Sequence, residues 1–102
     1  SLFSSGLLFL AVYGGSSASA QDLLDRARAA LKQRDYREAE QWAARIRRDD
    51  ETWAEAQLVA GEAAMRARRF EAASEYFAAV PRDGSPESVL AAFSLGEIGR
   101  DA

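Results

Sequence analysis

The chain nearly repeats itself at a distance of 34 residues. Laying residues 20–53 over 54–87 gives nine identities: Ala20/Ala54, Leu24/Leu58, Ala29/Ala63, Ala30/Ala64, Arg34/Arg68, Ala39/Ala73, Ala44/Ala78, Arg48/Arg82 and Asp49/Asp83. Other pairs keep volume and shape: Leu31/Met65, Tyr36/Phe70, Trp42/Tyr76, Ile46/Val80 and Ala27/Gly61. Self-similarity at a fixed period of this size marks stacked supersecondary units, each too small to bury both its faces alone. The echo therefore constrains the whole architecture.

Helical periodicity fills each unit. Leu23, Leu24, Ala27, Ala30 and Leu31 recur at i, i+3/i+4, i+7 spacing, so one apolar stripe runs along a helix over about 20–33, with Ser19 as its cap. Arg34-Asp35 breaks it. Asp35 with Glu38 three residues on reads as a capping box for a second helix, which carries Tyr36, Ala39, Trp42, Ala43 and Ile46 and ends near Arg48. Asp49 or Asp50 opens a third, roughly 51–67, with Trp53, Leu58, Gly61, Ala64 and Met65 as apolar positions. A fourth, about 70–80, uses Phe70, Ala73, Tyr76, Phe77 and Val80 but has Arg69 where the second has Asp35. Pro81-Arg82-Asp83-Gly84-Ser85-Pro86 is a break, after which Ser85 caps and Pro86 starts a fifth helix that fades around Glu97–Gly99. No stretch alternates with period two. The fold is expected to be all-α, with five helices.

Composition limits what such a fold does. The net charge is −3, and the basic clusters Arg45, Arg47, Arg48 and Arg66, Arg68, Arg69 are interleaved with Asp and Glu. They read as solvated helix faces and turns, and no basic stripe for nucleic acid is present. There is no Cys and no His, so thiol chemistry, the usual zinc ligands and the commonest general base are all missing. The candidate acids Asp22, Asp25, Glu51, Glu55, Glu62, Glu71 and Glu75 stand at ordinary cap or solvated positions. No enzyme, no cofactor, no metal and no small-molecule substrate is expected.

Residues 1–20 differ from the rest. They are uncharged, with an apolar run from Gly6 to Tyr13, the turn-prone 14–17, and a small-x-small triplet Ala18-Ser19-Ala20. An apolar core followed by such a triplet resembles the back half of a secretory signal peptide, with cleavage after Ala20 and a secreted or periplasmic domain over 21–102. A short segment packed on the domain is the other reading of the run. So is an uncleaved membrane anchor, although eight residues fall short of the roughly 20 a spanning helix needs.

The units resemble the tetratricopeptide repeat family, whose signature runs W-x2-L-G-x2-Y, then A-x3-F, then P. Ala60-Gly61 takes the L-G step, Phe70-Glu71-Ala72-Ala73 resembles the aromatic-x-x-Ala run, and Phe77 follows Ala73 at the family spacing. Ala27, Ala30, Tyr36, Ala39 and Ile46 match in the first unit, and Leu95-Gly96 restores the literal pair in the third. Gln57, Arg26 and Ala43 depart from the preferred Trp, Leu and large aromatic, and Arg34 and Arg68 stand at the turn position often filled by Gly. Those arginines either adopt positive φ or the turn differs. The resemblance covers about residues 20–98 and implies an α-solenoid of antiparallel helix pairs with about two and a half repeats: units 20–53, 54–87 and a partial 88–102.

The resemblance also implies a function: a non-catalytic scaffold holding a partner peptide or helix in a concave groove lined by the first helices of the units. The candidate groove residues are Leu24, Arg28, Leu31, Lys32, Leu58, Val59, Glu62, Met65 and Arg66, with Phe93 and Glu97 extending the row. A terminal-carboxylate clamp is not expected, since the chain has no Asn and Leu24, Val59 and Glu62 occupy its places. Arg28 and Glu62, one period apart, are expected to pair. A partner protein or peptide in the bacterial envelope is the leading expectation. The alternative is an assembly or anchoring subunit that uses the apolar run and the fifth helix. Leu90, Phe93, Leu95 and Ile98 give that helix a broad apolar set, which suggests further repeats or self-association through it and a place in a longer array.

Overall fold

The structure is a computed structural model and describes residues 19–101. The apolar run Gly6–Tyr13 and most of the 1–20 leader lie outside the described residues. Five helices follow in order: α1 (Ala20–Lys32), α2 (Tyr36–Ala44), α3 (Trp53–Arg66), α4 (Phe70–Ala78) and α5 (Pro86–Asp101). Among the described residues there is no strand. The fold is all-α.

The helix ends follow local chemistry. Ser19 is extended at ψ 163° and its Oγ accepts the Asp22 amide at 3.2 Å, which satisfies one of the orphan donors of α1. At the other end Arg34 takes φ 65°, the Asp35 amide donates to the Ala30 carbonyl at 2.9 Å, and the Arg34 amide to Leu31 at 3.0 Å. Arg68 repeats this at φ 63°, with Arg69 donating to Ala64 at 2.8 Å and Arg68 to Met65 at 3.0 Å. Both are Schellman closures built without the usual glycine, at a cost of about 1 kcal/mol each.

Several expected boundaries move. The Asp35 Oδ1 accepts the Glu38 amide at 3.2 Å, but Glu38 does not reach back to complete the box. Its carboxylate instead accepts the Trp42 indole N–H at 2.9 Å, while the Asp35 amide is already spent on Ala30. α2 stops at Ala44 rather than near Arg48: Arg45 and Ile46 bond three residues back, to Trp42 at 3.2 Å and Ala43 at 3.1 Å. That tightened turn delivers Ile46 into the core. Neither Asp49 nor Asp50 caps α3. Asp50 accepts from the Thr52 amide at 2.8 Å and its hydroxyl at 2.6 Å, folding a turn ahead of the helix and holding its own carboxyl below the usual range. Ser85 does cap α5, accepting the Ser88 amide at 3.2 Å, and α5 runs past the expected Glu97–Gly99 limit to Asp101.

Each helix packs on the next, and α3 also touches both α1 and α5. The central position of α3 explains its composition: Ala56, Val59, Ala60, Gly61, Ala63 and Ala64 are all buried. One cluster joins Leu24, Ala27, Ala43 and Ile46 to Ala56, Val59 and Ala60. A second joins Ala64 to Ala73, Phe77, Val80, Ala91 and Ile98. Small side chains let the backbones approach, and Gly61 carries this furthest. A Cβ there would stand 2.6 Å from the Phe77 ring, so only hydrogen fits.

Candidate binding groove

The Leu58–Met65 face of α3 is half-buried, because α4 covers only part of it and α5 stands off on the other side. The result is an open groove of about 610 Å³ lined by Leu58, Glu62, Met65 and Arg66 of α3, Arg68, Phe70 and Phe77 at α4, and Leu90 and Ser94 of α5. Its floor is apolar and its rim is charged. Glu62 and Arg66 pair at 2.7 Å along α3, and the Arg68 guanidinium lies 5.4 Å from the Phe70 ring centre. Arg68 can stack there because the left-handed turn at its own backbone aims the side chain back toward α4.

Of the eleven groove residues expected from sequence, Leu58, Glu62, Met65 and Arg66 line this cavity together. Leu24 and Val59 do not: at 1% and 7% exposure they belong to the core between α1, α2 and α3. The reason is that α3 has neighbours on both sides, so the face bearing Val59 is consumed by α1 and α2. Arg28 and Lys32 are exposed and Leu31 half-buried, all on α1 and away from the cavity. Phe93 is 64% exposed on α5, outside the lining, and Glu97 pairs with Arg100 at 3.6 Å. The expected Arg28–Glu62 pair does not form. Arg28 pairs with Glu55, tying α1 to α3, and Glu62 turns to Arg66.

A second, polar cavity of about 680 Å³ lies between α2 and α4, lined among others by Tyr36, Glu40, Gln41, Arg69 and Tyr76. At its back, buried Glu40 receives hydrogen bonds from the Arg69 guanidinium and, at 2.8 Å, from the Tyr76 hydroxyl. Burial and the hydrogen bond to Glu40 push the Tyr76 hydroxyl up to about 12, so it stays a donor through the ordinary pH range. Both carboxylate oxygens of Glu40 are thus engaged in linking α2 with α4. Sequence reasoning missed this triad because Glu40 sits among solvated charges. Its one signal was a carboxylate directly beside Ala39 on the buried face of α2.

Neither cavity carries a nucleophile beside a base, and among the described residues no group of three acidic side chains is placed to hold a metal ion. Arginines meet aromatic faces repeatedly, at Trp42 (from Arg26 at 5.1 Å and Arg45 at 4.6 Å) and at Trp53 (from Arg48 at 5.2 Å). These contacts cover the faces of rings that pack against the core. No described helix is long and apolar enough to cross a membrane. Comparison with protein-family models, curated proteins and solved structures gave no match.

Proposed function

We propose that the chain is a non-catalytic protein-binding module, a tetratricopeptide-like array of antiparallel helix pairs that holds a partner helix or peptide in the groove between α3 and α5. The observation that carries this reading is the pairing of an apolar floor, Leu58, Met65, Phe70 and Leu90, with charges confined to the rim. Such a surface suits an amphipathic segment laid along it, apolar side chains down. With Arg66 and Arg68 against Glu62, the rim favours a partner carrying acidic residues beside its apolar anchors. The 34-residue echo and the resemblance of 60–61 and 70–77 to the family signature support the solenoid part of the reading.

The place of work we propose is the bacterial cell envelope, on the strength of the apolar run and the Ala18-Ser19-Ala20 triplet. Recovery of the exported protein with Ser1–Ala20 intact in its mass spectrum would sink that part. The groove is tested by replacing Met65 with a photo-crosslinking residue and, as control, Arg82 in the exposed 81–84 segment. Adducts at position 65 that disappear with Arg66→Glu support the groove. Equal adducts at both positions, or none at 65, overturn it.

A further inference from the structure

The charged residues lining the groove between α3 and α5 are Glu62, Arg66 and Arg68, and the first two cancel. They stand four residues apart on α3 and pair at 2.7 Å, with the acid on the N-terminal side, the order that favours such a pair on a helix. At a distance the pair is close to neutral. Arg68 has no ion pair among the described residues. The unbalanced charge of the groove is therefore positive and belongs to Arg68.

That guanidinium is also held in place. Among the described residues four arginines rest on aromatic rings: Arg26 and Arg45 on Trp42, Arg48 on Trp53 and Arg68 on Phe70. Of these, Arg68 alone lines either of the two cavities. Phe70 lines the same groove and packs against the cluster that holds Ala73, Phe77 and Val80, so the surface beneath Arg68 is anchored in the core. The backbone is fixed as well, since the turn at φ 63° is closed by bonds to the Ala64 and Met65 carbonyls. Stacking on a ring removes part of the guanidinium's water and rotamer freedom before a partner arrives, and its N–H donors remain for that partner. The matching turn at Arg34, φ 65°, lines neither cavity.

We propose that Arg68 selects the partner by receiving a carboxylate, from a Glu or Asp one helical turn away from the apolar side chain seated on Met65 and Phe70. The inference rests on the groove reading above and narrows it: Arg66, tied to Glu62, borders the groove without reading the partner's acid. Reversing Arg66 would still repel such a partner, by setting a second acid beside Glu62. A carboxylate suits the site better than a phosphate, because phosphate sites gather several basic groups and this groove offers one unpaired guanidinium. The acid has to adjoin an apolar anchor because Arg68 lies over Phe70, which is itself part of the floor. On a helical partner that is a spacing of three or four residues. The planar guanidinium can meet both carboxylate oxygens with parallel N–H bonds.

The test begins with a selection on the full chain from a phage-displayed library of random peptides about 16 residues long, enough for four helical turns. The expected binders carry Glu or Asp three or four residues from a large apolar side chain. A synthetic peptide of that consensus is then measured by fluorescence anisotropy beside a counterpart in which the acid is replaced by its amide. On the wild-type chain and on Arg66→Gln the acid should bind about tenfold tighter than the amide, whereas on Arg68→Gly the two should bind alike. Glycine adopts positive φ freely, so Arg68→Gly keeps the turn and a lost preference is not a lost fold. Arg34→Gly makes the same change away from the groove and should keep the full preference. A preference that survives Arg68→Gly or vanishes with Arg66→Gln overturns the inference, as does a set of binders without acids. Binders indifferent to Met65→Ser sink the groove reading and this inference with it, and so does a selection that yields nothing.

Discussion

The α1–α2 pair and the α3–α4 pair are built to one template and fill it in opposite ways. In the first, Ala27 faces a helix whose corresponding residue is Ala43, and the space is filled by Leu24 and the flanking Trp42. In the second, Gly61 has given up its methyl and Phe77, in the place of Ala43, brings a ring into the gap. Volume has moved from one helix to the other while the crossing remained tight. The caps trade likewise: Asp35 closes α2 through its own side chain, whereas Arg69 leaves α4 uncapped and spends itself on Glu40 of α2. The second helix of the first pair is thus capped locally, whereas that of the second pair has no side-chain cap and is tied to α2 instead.

The largest predicted effect breaks this contrast at its centre. Phe77→Ala should cost about 3–5 kcal/mol in chemical denaturation, since the ring is buried and its atoms lie nearest the Gly61 notch. Gly61→Ala should cost about 1–3 kcal/mol by overpacking, and the loss should shrink when combined with Phe77→Leu. Additive costs in that double mutant would mean that the two positions do not share one space. Smaller again is the exchange of caps. Arg69→Asp gives α4 the cap that α2 has but strips buried Glu40 of its cationic partner, for a net loss of about 1–3 kcal/mol.

The pair-to-pair link also carries a pH signature. The folded Tyr76 hydroxyl is raised from 10.0 to about 12, so the stability it contributes is whole below pH 10 and is lost as pH climbs toward 12. Thermal midpoints of wild type and Tyr76→Phe should therefore converge across that window. Parallel curves would show that the hydroxyl is not held by Glu40. The mildest prediction treats both pairs alike. Arg34→Gly and Arg68→Gly should each stabilise by about 0.5–1 kcal/mol, by relieving a side chain held at positive φ.

What could be read from the sequence was what repeats. The echo and the helical periodicity located the first four helices and Ser85-Pro86 the fifth, and Asp35, Ser19 and Ser85 were recognisable as caps because their partners are only three residues away. What it hid was relational. Whether Val59 faces a groove or a core depends on α1 and α2 lying behind α3, which no spacing within 53–66 records. Glu55 outcompetes Glu62 for Arg28 for the same reason: neighbouring helices set the pairing, not the period. The end of α2 at Ala44 reflects the need to bury Ile46, a tertiary demand that outweighs the helix-favouring residues up to Arg48.

Under the proposed export, Ser19 would place maturation and folding in competition for one atom. Its hydroxyl anchors the start of α1, yet it stands in the middle of the triplet after which an exporting protease would cut. Cleavage behind Ala20 would discard that anchor and leave a new ammonium group on Gln21, at the positive end of the helix dipole. The nearest compensating charge is the Asp22 carboxylate in the first turn, while the Asp22 amide would lose its acceptor. Losing the cap alone costs about 1 kcal/mol, so the processed domain would enter its compartment with a frayed first turn. Under the proposed export, the cut would loosen the fold at its amino-terminal end.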